Sequence, residues 1–211
     1  MLGSEEMNDD GLRERIRGVA KPPHRKKNEW VAPRVDEFAE KIRVLCFDQS
    51  VNNTGVVMLW ADYGRVTVWS QQTLVPDKDP DLFSVDRIIQ RAVSQDEFIR
   101  EAICEARADG KVDAVVVERT PLEGYRTESS LLASFSIHRL APEILGVPVT
   151  VVANNHAKAV MLAPNRRSEK IHTKDLLDRY RIPGRWNEHT RDALLLGLTH
   201  LYDVKKDKEN E

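Results

Sequence analysis

Two short apolar runs in this chain each end on a carboxylate. Residues 41–59 read KIRVLCFDQSVNNTGVVML, and the first run in them, carrying Ile42, Val44, Cys46 and Phe47, stops at Asp48. Residues 111–118 read KVDAVVVE, and their continuous apolar core, 114–117, stops at Glu118. An unbroken β-branched run of this kind is what a strand buried on both faces requires. A carboxylate at the end of such a strand is expensive unless a cation, a proton or a hydrogen-bond network neutralises it. Taken singly, each acid has a plain reading. Asp48 is followed by Gln49, Ser50, Asn52, Asn53, Thr54 and Gly55, so it can simply cap a turn through its side chain. Taken together they constrain more, because functional sites of open α/β sheets gather at the carboxyl ends of parallel strands.

The rest of the chain can be read around these two strands. Residues 56–60 are a second apolar run, so the opening stretch is expected to be a hairpin. Residues 65–74 (RVTVWSQQTL) alternate as a third strand after the turn Asp62-Tyr63-Gly64. Residues 85–108 place Ile88, Ala92, Ile99, Ile103 and Ala106 at helical spacing, and Asp109-Gly110 supplies a helix end. After Glu118, residues 128–144 carry Leu131, Leu132, Phe135, Leu140 and Ile144 on a helical pattern that Pro142 is expected to kink or end. Residues 147–153 (VPVTVVA) form another buried strand, 154–162 a short helix, 164–170 (PNRRSEK) a basic loop and 171–180 a helix. Residues 187–204 close the domain as a helix with Leu194, Leu195, Leu198 and Leu201 on one stripe. His189 and Asp192 stand three apart beside that stripe, and residues at i and i+3 share a helix face. His189 can equally be a solvent-facing residue near the helix start, and Asp192 can serve the helix dipole. The order is three meander strands, then alternating helices and parallel strands. That order describes an α/β, ribonuclease H-like fold: a mixed five-stranded sheet with helices on both faces.

Composition removes several classes of protein. The 211 residues are 41% hydrophobic and 31% charged, enough for one sizeable α/β domain. The expected division is a partly basic tail over 1–40, a domain over 41–204 and a charged, frayed tail over 205–211. Within the tail, 21–27 (KPPHRKK) reads as a solvated linker or as an arm that touches a polyanion. No apolar run approaches the roughly 20 residues that span a bilayer. Cys46 and Cys104 sit in apolar or helical patterns without a CxxC, which argues for reduced, buried thiols in a reducing compartment and against a thiolate zinc site. The net charge of −2 does not advertise nucleic-acid binding, so any such function needs a local basic patch.

Bringing Asp48, Glu118, Asp192 and His189 together would make a hard, oxygen-rich pocket suited to magnesium or manganese. Several carboxylates cannot crowd together without cations, because like charges repel. Two such ions can clamp the attacking and leaving oxygens of a phosphodiester in line. The densest cationic stretch of the globular part, with Lys158, Arg166, Arg167, Lys170 and Lys174, is a candidate for phosphate contact.

Over most of 42–202 the sequence resembles the RuvC-type Holliday-junction resolvases. FDQSVNNTG stands where that family shows D-x-G-S-x-x-T-G, and VVVERTP where it has a Glu at the end of its fourth strand. AKAVMLAPNRRSEK is similar to the family's V-K…G…A-E-K segment. HTRDALLLGLTH looks like its D/H-x-x-D-A-L-A-x-A-x-T-H helix, the most specific of the four matches. The resemblance implies that Asp48, Glu118, His189 and Asp192 are the catalytic and metal-binding set, with two Mg2+ ions per site and Mn2+ able to substitute. It implies that Lys158 and Lys170 lie near the active site and DNA. It further implies a homodimer cutting four-way DNA junctions in recombination and repair, in a bacterial or phage-infected bacterial cytoplasm, with no nucleotide cofactor and no membrane. The helix over 131–144 is the expected dimer interface. Two departures stand out. The family's early Gly is replaced in the pair Gln49-Ser50, and the aromatic residue three positions after the Glu is Pro121, with Tyr125 the nearest substitute. Other readings of the same pattern are a flap, fork or RNA–DNA hybrid nuclease, a junction-binding protein without catalysis, and an actin-like ATPase, the last disfavoured by length and by the lack of a second glycine-rich loop.

Overall fold

The computed structural model describes residues 41–49, 53–62, 65–74, 84–120, 127–162, 174, 176–178, 180, 182 and 184–210. The expected tail over 1–40 and the residues Pro121, Tyr125, Arg166, Arg167 and Lys170 lie outside them. Five strands form one sheet: β1 (Ile42–Gln49), β2 (Thr54–Asp62), β3 (Arg65–Leu74), β4 (Ala114–Glu118) and β5 (Val149–Val152). Their spatial order is β3-β2-β1-β4-β5. β1, β2 and β3 run antiparallel as a meander, and β4 and β5 add parallel to β1. The helices are α1 (Ser84–Ala108), α2 (Thr127–Leu145), α3 (Asn154–Met161) and α4 (Glu188–Glu209).

β1 is the central strand, and from Val44 to Gln49 it is buried. That is why residues 44–47 are continuously apolar rather than alternating. Side chains alternate across the sheet, so one face of β1 shows Leu45 and Phe47 and the other Val44 and Cys46. The first face packs with Val56, Met58, Val115 and Val117 against Ile99 and Ile103 of α1 and Ile137 and Leu140 of α2. Each such fully buried side chain contributes about 1.5–3 kcal/mol relative to exposure. The second face is covered by α4, which also packs against α3. Layer order therefore matches the expected fold, with helices on both faces.

Gly197 sets the depth of α4 on the sheet. A Cβ there would run into Cys46 Sγ and Leu59 Cδ1. On α4, Ala193 through Thr199 and Leu201 are buried, so its apolar surface is wider than the four-leucine stripe. Asn187 caps the helix: its side chain accepts from the Thr190 N–H, and Thr190 Oγ1 accepts from the Asn187 N–H in return. Asn187 Nδ2 also donates to Thr73 Oγ1 at 2.8 Å, pinning the helix start to β3.

Three local expectations need correction, at the end of α4, at Pro142 and at Cys104. α4 does not end at Val204 but runs to Glu209, where Lys205 pairs with Glu209 and Asn210 caps the last turn. Pro142 does not end α2, which continues to Leu145 and stops where Gly146 takes φ +71°. A proline near a helix end removes one intrahelical bond, and the positive φ that glycine adopts freely then turns the chain. Leu131, Leu132 and Phe135 face outward, while Ser130, Ala133 and Ser136 face inward. Small residues on that side bring α2 close to α1, where Ser136 Oγ donates to Asp96 at 2.6 Å. Cys104 is exposed, and only Cys46 is a buried thiol.

The sheet also carries a bulge that alternation in the sequence does not reveal. Met58 pairs with Ser70 but Leu59 with Val68, leaving Trp69 as the extra residue. Trp69 Nε1 donates to Asp109 Oδ2 at 2.8 Å, Trp60 meets it edge-on at 6.2 Å, and the Arg43 guanidinium lies 4.9 Å from the Trp60 ring. This cluster fastens the end of α1 to the sheet margin opposite the acids.

The buried contact at Gly197 predicts a clear stability loss. Gly197→Ala should lower stability by about 1–3 kcal/mol, the usual result of adding a methyl to a filled core. Urea denaturation followed by circular dichroism measures it, and an unchanged midpoint would contradict the close approach.

Candidate active site

The site is assembled from four chain segments. Parallel register pairs Phe47 of β1 with Val117 of β4, so the next residues, Asp48 and Glu118, end neighbouring strands side by side. α4 then descends on the same edge. Gly55 of β2 is the Cα partner of Asp48, and a Cβ on Gly55 would overlap the backbone of His189. The absent side chain at Gly55 is what lets the start of α4 reach Asp48. α3 begins at Asn154, immediately after β5, the third strand to end at this edge.

Side-chain contacts join these elements. His189 Nδ1 lies 2.9 Å from Asp48 Oδ2, and Asn53 Nδ2 lies 3.0 Å from His189 Nε2. An amide donor at Nε2 selects the tautomer whose proton sits on Nδ1 and is donated to Asp48. The Glu118 carboxyl lies close enough to the Asp48 carboxyl and the Asn154 amide for both to act on its ionisation. Asn154 Nδ2 also donates to Asp192 Oδ2 at 3.2 Å, and Lys158 Nζ stands 3.4 Å from the same oxygen. Three carboxyl groups and an imidazole are therefore linked through direct contacts and one amide.

Burial and mutual repulsion leave their mark on these groups. Glu118 is pushed up to about 8, first by desolvation, then by the hydrogen bond to Asp48 and the repulsion from it. Asp192 is raised by desolvation, which the Lys158 ammonium partly offsets. His189 is raised chiefly by its hydrogen bond to Asp48, against a desolvation effect that lowers it. Asp48, 3% exposed, is the deepest of the four.

The structure thus brings together all four residues singled out as catalytic: Asp48, Glu118, His189 and Asp192. Lys158 joins them as an ion-pair partner of Asp192. Lys174 is exposed and helical. Sequence reasoning missed Asn53, Asn154 and the steric role of Gly55. Asn154 was findable, because it follows the third strand end as Asp48 and Glu118 mark the other two. Asp48, Glu118, Asp192 and His189 supply the donors a hard divalent cation would use. Among the described residues, however, no group of three or more His, Cys, Asp or Glu is already spaced to hold a metal. Each donor is paired with a neighbouring side chain instead.

Three raised values give one sign of pH dependence. In the folded state Glu118 keeps a proton that the unfolded chain loses near 4.5. Folded protein therefore binds more protons across that window, and stability falls as pH rises from about 4.5 to about 8. His189 and Asp192, also raised, act in the same direction. In chelator, the melting temperature should be lower at pH 8 than at pH 5.5, and Glu118→Gln should flatten the difference. A Glu118→Gln slope equal to the wild-type slope would remove Glu118 as its source.

No protein-family model and no curated protein sequence matches the chain. Solved structures do. RuvC of Thermus thermophilus in complex with a Holliday junction substrate superposes with a TM-score of 0.58 at 15% identity, covering 78% of this chain and 96% of that one. A second Thermus thermophilus RuvC structure gives 0.56 at 16% identity, with the same coverage. The yeast mitochondrial Holliday junction resolvase Ydc2 gives 0.50 at 13% identity, over 85% of this chain and 89% of that one. The chain is built on the ribonuclease H-like fold of the RuvC-type Holliday-junction resolvases.

Proposed function

We propose that this protein is a structure-specific endonuclease that cuts four-way DNA junctions by metal-assisted phosphodiester hydrolysis, in recombination and repair. The observation that carries the reading is the convergence of Asp48, Glu118, Asp192 and His189 at one sheet edge of a RuvC-like fold. The donor chemistry fits magnesium or manganese. Three carboxyl groups in one buried pocket need neutralising, and here a proton on Glu118 does the work a cation would do. Two ions held by these four residues would activate water and offset charge on the phosphate. Asp48, lying between Glu118 and His189, is suited to be the shared ligand. Asn154 orients Glu118 and Asp192, and Lys158 holds Asp192 in place with a cation close to the reacting phosphate.

Branched DNA is the proposed partner, with Lys158, Arg166, Arg167, Lys170 and Lys174 as candidate backbone contacts and Tyr125 as a candidate for stacking on junction bases. Backbone contacts of this kind position DNA and weaken with salt. A two-fold homodimer would present two sites for paired cuts on a two-fold junction. Exposed Leu131, Leu132 and Phe135 of α2 and Val85, Ile89 and Val93 of α1 give such a dimer an apolar face. No described helix is long and apolar enough to cross a membrane. Two free thiols, Cys46 and Cys104, suit the reducing cytoplasm of a bacterial or phage-infected cell.

Cleavage of a synthetic four-way junction, beside flap, fork, linear duplex and RNA–DNA hybrid, tests the reading in Mg2+ or Mn2+. Asp48→Asn and Asp192→Asn should bind the junction and cut it at least about a hundredfold more slowly. Normal cutting by either variant would sink the metal-site assignment. Equal cutting of duplex and junction would remove the junction preference and leave a nuclease of broader substrate. Phe135→Asp combined with Ile89→Asp should give a folded monomer by light scattering that no longer makes paired cuts. A variant that stays dimeric would place the interface elsewhere.

A further inference from the structure

Gln49 is buried at 3% exposure, one residue beyond Asp48, on the opposite face of β1. Its Nε2 donates to two acceptors on the chain leaving β4: the carbonyl of Glu118 and, at 3.2 Å, Thr120 Oγ1. The backbone ladder between β1 and β4 has its last register pair at Phe47 and Val117. The side-chain amide therefore supplies the next link across the two strands, at the level of Asp48 and Glu118. Two points of the β4 exit, on either side of Arg119, are tied by one group to the residue that follows Asp48.

A purely structural filler would not need this side chain. Gln49 Oε1 is buried with no hydrogen-bond partner among the described residues, and so is the hydroxyl of Thr54, its partner in the last β1–β2 register pair. A buried oxygen without a partner lowers stability, which Met or Leu of similar volume at position 49 would avoid. Local rules are broken in this way where function demands it. What Gln provides and Met cannot is the two-armed Nε2 donor.

We propose that Gln49 is a positioning residue: its amide fixes the β4 exit against β1 and so sets the relative placement of the Asp48 and Glu118 carboxyl groups. The inference rests on the nuclease reading for its effect on rate, but not for its effect on cation binding. Partners that orient ligands, without touching the ion, typically alter metal affinity or activity by about 10- to 100-fold when removed.

The test compares full-length wild type with Gln49→Met, Thr120→Val and Thr120→Ser. Measured quantities are junction affinity in Ca2+, single-turnover cutting in Mn2+ as a function of Mn2+ concentration, and the rise in melting temperature with Mn2+ alone. Gln49→Met should bind the junction like wild type and cut it about 10- to 100-fold more slowly. Its half-saturating Mn2+ concentration should be higher in both the cutting and the melting series. Thr120→Val should show a smaller shift in the same direction, and Thr120→Ser, which keeps the hydroxyl, should match wild type. Unchanged rate and Mn2+ dependence in Gln49→Met would overturn the proposal, as would a rate loss matched by lost junction binding. If Gln49→Met does not fold, equal rates for Thr120→Val and Thr120→Ser overturn it. If wild type cuts no DNA but binds Mn2+, the nuclease reading fails while the positioning role is judged on the melting series. If wild type also fails to respond to Mn2+, both fall.

Discussion

Two carboxyl groups on neighbouring parallel strands cannot both be ionised, buried and adjacent without help. Asp48 and Glu118 are in that position, with their carboxyl groups close together at the ends of β1 and β4. The rest of the structure is arranged so that this conflict persists instead of relaxing. β1 is locked between β2 and β4 with both faces covered, so Asp48 cannot swing to solvent. α4 closes the edge and adds His189 and Asp192, which deepens the burial that raises Glu118. A protein that only needed to be stable would do better with apolar residues at these positions. Keeping the acids together is what the proposed metal-assisted nuclease site would require.

Close approach is the means. Gly55 and Gly197 lie on facing elements, β2 and α4, and a Cβ on either would strike the other layer. One brings α4 against the sheet beside Asp48, and the other seats its middle on Cys46 and Leu59. The capping pair Asn187 and Thr190 then fixes where the helix begins, so that His189 and Asp192 fall on the site. The amide of Asn154 and the ammonium of Lys158 complete the polar shell from α3. Each of these supporting groups matters because the distances it sets are short.

Much of this architecture could be read from the chain. Strand ends were visible because VLCF and VVV are too apolar to be anything but buried, and each stops abruptly on an acid. The last helix was visible through its leucines and through the i, i+3 spacing of His189 and Asp192. Which side of α2 meets its own chain was not legible: Leu131, Leu132 and Phe135 are among its large apolar residues, yet Ala133 and Ser136 face inward. Hydrophobicity marks residues that would gain from burial, but it does not say whether the burial partner is the same chain. The bulge at Trp69 was equally invisible, since an extra residue in one strand depends on pairing with the other.

The sequence by itself determined which residue types the chain could bury, the order of its strands and helices, and which acids ended up at element termini. Those properties are local, fixed by side-chain periodicity and turn chemistry over a few residues. Tertiary structure alone decided that Asn53 bonds His189, that the Asn154 amide donates to Asp192, and that Gln49 bridges β1 to the exit of β4. These contacts join residues far apart in the chain, and they depend on strand register and helix depth to within about an ångström. A one-dimensional pattern carries no distance on that scale, whereas hydrogen bonds and charge repulsion depend on little else.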